Sequence, residues 1–130
     1  RQFYQNFKDK GEIIMLNLLK FKETADYTNI EHLSSKLEIS GEEAYQLYLD
    51  ATIPQFQEVG SEIIFYGKGK EFLIGPESEK WDAVVLVKHQ SVMKCMEFAQ
   101  SEEYLKNAGH RTAALEDSRL LPTTEIKNGL

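Results

Sequence analysis

Residues 12–22, EIIMLNLLKFK, limit the possible folds more than any other stretch of the chain. In an extended strand successive side chains point to opposite faces, so Ile13, Met15, Leu19 and Phe21 share one face and Ile14, Leu16 and Leu18 the other. Both faces are apolar, and only Lys20 and Lys22 turn the end of the segment toward water. This is the pattern of a central strand covered on each side, not of an edge strand half in solvent. The rest of the chain has to supply those covers.

Helices are available for one side. Ser40-Gly41-Glu42-Glu43 has the spacing of a capping box, in which the serine hydroxyl and the glutamate carboxylate satisfy backbone N–H groups at a helix start. Tyr45, Tyr48, Leu49, Thr52, Phe56 and Val59 follow at helical steps along one face before Gly60 ends the helix. Pro54 lacks an N–H and is expected to kink or restart it. Ser91 caps a second predicted helix with Val92, Cys95, Met96 and Ala99 inward. Ser101-Glu102-Glu103 reads as a restart carrying Tyr104 and Leu105, and Gly109 as a break.

Strands are predicted over residues 63–66, 72–74 and 81–89, the first two forming a hairpin around Gly67-Lys68-Gly69-Lys70. A last strand is predicted within residues 119–126, where Pro122 confines it to an edge or a bulge. Residues 1–11 show no period. Residues 23–39 read as a long loop with room for a helical turn, and loops of that length usually cover something.

This order of elements predicts one ferredoxin-like α+β domain over residues 1–130, an antiparallel sheet with helices packed on one face. The other apolar face is then bare. A second copy of the sheet is its simplest cover, so a homodimer is the expected assembly.

Charge and cysteine content narrow the function classes. Fifteen basic residues against twenty-one acidic ones leave a net charge of −6 without a lysine or arginine run, which disfavours phosphate-backbone binding and a basic membrane-surface helix. The longest apolar runs fall far short of the roughly 20 residues a membrane helix needs. The single Cys95 cannot form an internal bridge, which suits a reducing compartment, and the cytoplasm is the expected location. Arg1 in place of an initiating methionine is compatible with a trimmed N-terminus.

Familiar catalytic patterns fail on spacing. Gly67-Lys68-Gly69-Lys70-Glu71-Phe72 lacks the third glycine of a dinucleotide loop and opens no helix. His32, His89 and His110 lie far apart with no metal-binding pattern around them, so no metal is expected, and no cofactor either. Cys95 lies on the apolar face of its helix, where a thiol behaves as a small hydrophobe.

A few polar residues remain as candidates. Asn17 interrupts an apolar strand, and a buried amide must find partners, either structural or on a ligand. Tyr45 and Tyr48 sit at helical spacing, and with Tyr104 their hydroxyls either converge on a cavity between helices and sheet or simply cap core rings. Trp81 reads as a packing anchor that could line the same cavity. His110, Arg111 and Arg119 offer a proton carrier and two carboxylate clamps, with surface ion pairs to Glu116 or Asp117 as the alternative for the arginines.

The run Met15-Leu16-Asn17-Leu18-Leu19-Lys20-Phe21-Lys22, Tyr45-x-x-Tyr48, Ile74-Gly75-Pro76, Trp81-Asp82 and the stretch from Ser101-Glu102-Glu103-Tyr104 to Arg111 carry a further signal. Through them nearly the whole chain resembles the domain-of-unknown-function 1330 family of dimeric α+β barrel proteins. That resemblance implies the ferredoxin-like fold and the dimer. The broader relatives include cofactor-independent quinol-type monooxygenases, haem-degrading monooxygenases and muconolactone-isomerase-like enzymes, which bind small, often aromatic molecules in each protomer. An asparagine on the first strand is shared with the monooxygenases. The helical tryptophan and haem-ligating histidine of the haem-degrading group correspond to Phe98 and Ala108, with His110 displaced, so haem is not expected.

Two classes of function fit these residues. One is a homodimeric small-molecule enzyme of monooxygenase or isomerase type, with His110 as proton shuttle, Arg111 or Arg119 as oxyanion clamp, Asn17 as orienting donor, and Tyr45, Tyr48, Trp81 and Tyr104 lining the pocket. The other is a non-enzymatic ligand-sensing or interaction dimer, in which the same groups serve packing.

Overall fold

The protein is described by a computed structural model covering residues 2–33 and 38–126; residues 34–37 of the long loop lie outside the described residues. The two-faced apolar segment forms β1 (Ile13–Phe21). It pairs antiparallel with β3 (Ala83–His89) on one side and β4 (Leu115–Thr123) on the other. β2 (Glu62–Lys68) pairs with β3, giving the order β2-β3-β1-β4 with β1 inside the sheet. Residues of one parity in β1 and β3, from Ile13 to Leu19 and Ala83 to Val87, are buried against the helices. The sheet is thus covered on one face, as in a ferredoxin-like fold.

The helical layer consists of α2 (Gly41–Val59), α3 (Val92–Ala99) and α4 (Glu102–Ala114), preceded by the short α1 (Gln2–Phe7). Ser40 caps α2 with both bonds of the capping box, and Ser91 and Ser101 cap the next two helices. α2 runs unbroken through Pro54, so the predicted restart does not occur. The turn around the proline is held from outside: the Gln55 side chain donates to Ala51 O at 3.0 Å and across to Glu103 O of α4 at 3.2 Å.

Close backbone packing joins the layers. Lys22 N donates to Ala114 O at 2.8 Å and Gly41 N to Lys22 O at 3.0 Å, so the end of β1, the start of α2 and the end of α4 meet at one point. A Cβ on Gly41 would lie 2.3 Å from Lys22 O and 2.5 Å from Ala114 O, and only glycine fits there. Gly109 is not a helix break. It lies within α4, where its missing side chain admits Leu33 of the 3-10 turn Glu31–Leu33 and Ile30 just before that turn.

Other expectations change in detail. Residues 72–74 are not a strand, and β2 takes β3 as its hairpin partner instead. Three apolar residues between turns leave room for one bridge only, Glu71 to Lys80, and Leu73 and Ile74 stand 100% and 91% exposed. Phe98, not Ala99, is the inward residue at the end of α3. α1 forms where no period was legible, resting Phe3, Tyr4 and Phe7 on the core. β4 begins earlier than expected and occupies the edge, with Pro122 opposite Met15.

A bulge in β2 decides what each face carries. Ile63 pairs with Val87, and Phe65 pairs with Leu86, leaving Ile64 as the extra residue. Side-chain parity therefore shifts: Ile63 and Tyr66 point to the helices, and Phe65 points away. On that outer face Leu121, Leu16, Leu86 and Phe65 form one row across all four strands, with Leu121 57% and Phe65 54% exposed.

Candidate functional site

Between the helical layer and the sheet lies a cavity of about 210 Å³. One end is polar. Asn17 comes from the middle of β1, Tyr45 and Tyr48 from successive turns of α2, and Tyr104 and Arg111 from α4. The Tyr48 and Tyr104 hydroxyls are 3.0 Å apart, and the Tyr45 and Tyr48 rings stack tilted at 5.2 Å. The other end is apolar and aromatic, with Phe56 and Phe98 at 4.8 Å between ring centroids and His89 beneath them.

Burial sets the protonation states. It pushes the Tyr45 hydroxyl up to about 12, with the nearby Arg111 charge acting in the opposite direction. Burial, and then Tyr104, also push Tyr48 upward. Both phenols are therefore neutral donors near neutral pH. Burial lowers His89, whose Nδ1 is 2.7 Å from the Ser61 hydroxyl, and raises the Cys95 thiol, which removes it as a nucleophile. Asn17 Nδ2 makes long bonds to Val85 O at 3.4 Å and Met15 O at 3.5 Å.

A larger groove of about 810 Å³ runs past the start of α2. Its walls mix Lys22, Lys68 and Lys70 with Glu23, Glu42 and Glu43, the ordinary composition of a solvated surface. Among the described residues no three His, Cys, Asp or Glu side chains gather as a metal site requires.

The fold and the cavity can be compared with known proteins. The profile of the domain of unknown function DUF1330 matches residues 31–122. The chain belongs to the DUF1330 family. A crystal structure of RPA0582, a protein of unknown function from Rhodopseudomonas palustris, is 34% identical, covers 97% of this chain and 90% of its own, and superposes with a TM-score of 0.83. A dimeric protein of unknown function and ferredoxin-like fold from Bacteroides fragilis shares 12% identity over 88% of this chain and 97% of that one, at a TM-score of 0.53. A proposed antibiotic biosynthesis monooxygenase from Caulobacter crescentus shares 9% identity over 98% and 100% of the two chains, at a TM-score of 0.55. The last two show the fold alone. No curated protein matches the chain.

In this DUF1330 chain five of the eight residues singled out from sequence, Asn17, Tyr45, Tyr48, Tyr104 and Arg111, line the cavity. His110 does not. Neighbours on a helix point about 100° apart, so His110 faces the other side of α4, with Nδ1 2.6 Å from the Tyr27 hydroxyl. Burial and the nearby His32 lower its pKa. Arg119 pairs with Asp117 at 2.7 Å and lies over the Trp81 ring at 4.9 Å. Trp81 is buried at 5% exposure but stands apart from the main core cluster, so this pair also lies outside the cavity. His89 and Phe98 were not among the candidates. The strand parity of Ala83, Val85 and Val87 pointed to His89, because it extends their inward row by one step.

Proposed function

We propose that this DUF1330 chain forms a homodimer whose subunits each bind a small organic molecule in the cavity between helices and sheet. The observation that carries this reading is the convergence of Asn17, Tyr45, Tyr48, Tyr104 and Arg111, from one strand and two helices, on a single cavity. Pockets with an apolar lining and a few convergent polar groups are the usual form of a small-molecule site. The outer row Leu121, Leu16, Leu86 and Phe65 supports the dimer, since it offers a continuous apolar strip to a second sheet. The cytoplasm fits the lone buried Cys95, and no described helix is long and apolar enough to cross a membrane.

Catalysis in this reading is cofactor-independent, of the monooxygenase or isomerase type. Arg111 holds a developing oxyanion, the tyrosine hydroxyls donate to it, and Asn17 orients the ligand. A second reading, a ligand-sensing dimer without catalysis, draws on the Tyr48 to Tyr104 bond and on the Asn17 amide, both of which engage the protein itself. Native mass spectrometry of freshly purified protein tests the common part. A dimer carrying a reproducible extra mass is the expected result, and a monomer would overturn the sheet-to-sheet assembly.

A further inference from the structure

We infer that the cavity selects a compact organic monoanion, whose carboxylate or enolate oxygen rests against Arg111 and the Tyr45 and Tyr48 hydroxyls while its apolar body reaches toward Phe56 and Phe98. This rests on the ligand-binding reading above and names the class of ligand. Among the described residues Arg111 is the only one lining the cavity with a permanent charge, and no carboxylate lines it. Elsewhere Lys20, Lys22, Lys88, Lys106 and Arg119 each have an acidic partner within 4.0 Å, and Lys8, Lys10, Lys68, Lys70, Lys80 and Lys94 stand exposed to water. Among the described residues Arg111 makes no such pair. A guanidinium cannot shed its proton, so a half-buried one keeps its charge and is stabilised by an anion brought to it.

The neighbouring hydroxyls suit the same ligand. In the Tyr48 to Tyr104 pair one hydroxyl donates to the other, which leaves one hydrogen free for a further acceptor. The planar fork of an arginine matches two oxygens of a carboxylate. A single positive charge favours a monoanion and repels an ammonium group. Size and length set the body of the ligand. The volume of about 210 Å³ lies below that of sites for drug-sized molecules. Val85, opposite Asn17, is separated from His89 by four strand steps, or about 13 Å, so the polar and aromatic ends fit a short molecule placed lengthwise.

The test is titration of the full chain, by calorimetry and by amide NMR, with benzoate and hexanoate and with the primary amide of each. In the wild type the carboxylate is expected to bind about tenfold or more tightly than its amide. In Arg111→Gln that ratio falls to near one because the carboxylate loses far more affinity than the amide, and in Arg111→Lys part of the ratio survives. Equal binding of carboxylate and amide, with shifts in cavity residues, would overturn the anion assignment and leave the pocket standing. Carboxylate binding that ignores Arg111→Gln would overturn it too, and no shift in cavity residues with any probe would overturn both readings. If Arg111→Gln does not fold, the wild-type ratio and Arg111→Lys decide.

Discussion

Gly41→Ala tests the junction that positions the site. The added Cβ would fall 2.3 Å from Lys22 O, 2.5 Å from Ala114 O and 2.7 Å from Lys22 N, all backbone atoms that cannot rotate aside. To make room, the start of α2 must part from the end of β1, which strains or breaks the Gly41 to Lys22 bond and the Lys22 to Ala114 bond beside it. Two backbone hydrogen bonds at about 1 kcal/mol each, together with overpacking of about 1–3 kcal/mol, oppose a helix-propensity gain of at most about 1 kcal/mol. The net loss is about 2–4 kcal/mol. Urea unfolding at fixed protein concentration should show a lower midpoint with an unchanged slope, because the surface exposed on unfolding is nearly the same. Gly109→Ala provides the contrast. Its Cβ would meet only the Ile30 and Leu33 methyls, at 2.6 and 2.8 Å, which can move, so it should cost clearly less. A Gly41→Ala protein within about 0.5 kcal/mol of wild type would refute the argument that the junction is closed to a side chain.

Other expectations address separate parts of the molecule. Tyr48→Phe removes the hydroxyl pair with Tyr104 and should lower stability by about 1 kcal/mol in the same assay, with no change if that pair adds nothing. His89 has a folded pKa below its ordinary value because burial disfavours the charged ring, so the unfolded chain takes up the proton first. The resulting stability is complete above the ordinary value of 6.5 and is lost as pH falls through the lower folded value. Unfolding midpoints should therefore drop as pH falls from 6.5 toward the lower folded value, and less steeply in His89→Asn; equal slopes would remove His89 as a cause. His110, lowered in the same sense, contributes in parallel and is separated by His110→Asn. Leu16→Lys places a charge at the centre of the outer apolar row and should convert the proposed dimer to monomer in analytical ultracentrifugation. A dimer of unchanged affinity would assign the interface to another face.

The sheet, the helix caps and half of the site were legible because each rests on local chemistry. Ser40, Ser91 and Ser101 announce helix starts by the bonds their hydroxyls make, and the two-sided apolar run of β1 announces a strand inside a sheet. What failed depends on contacts distant in sequence. Gly109 reads as a breaker until Ile30 and Leu33 come to rest on it. His110 and Arg111 read as one polar pair, yet α4 turns one toward Tyr27 and the other into the cavity. Arg119 looked equally apt as a clamp, and its strand register, opposite Leu18, put it on the outer face with Trp81.

The bulge at Ile64 links the cavity to the outer face. In an unbulged strand Ile63 and Phe65 would share the helix-facing side, and Tyr66 would lie on the outer one. Phe65 would then enter the layer that holds the tyrosines, and Ile64 would stand beside Leu86 in the outer row. The extra residue instead turns Tyr66 inward, where its ring lies 6.1 Å from Tyr45, and sends Phe65 out to complete the row with Leu121, Leu16 and Leu86. One inserted residue thus supports a ring beside the cavity and places Phe65 rather than Ile64 at the end of the apolar strip. Any change in how that strip is covered bears on β2, and through Tyr66 on the Tyr45 ring that stands next to Arg111. The proposed assembly and the proposed ligand binding share this strand as their common physical element.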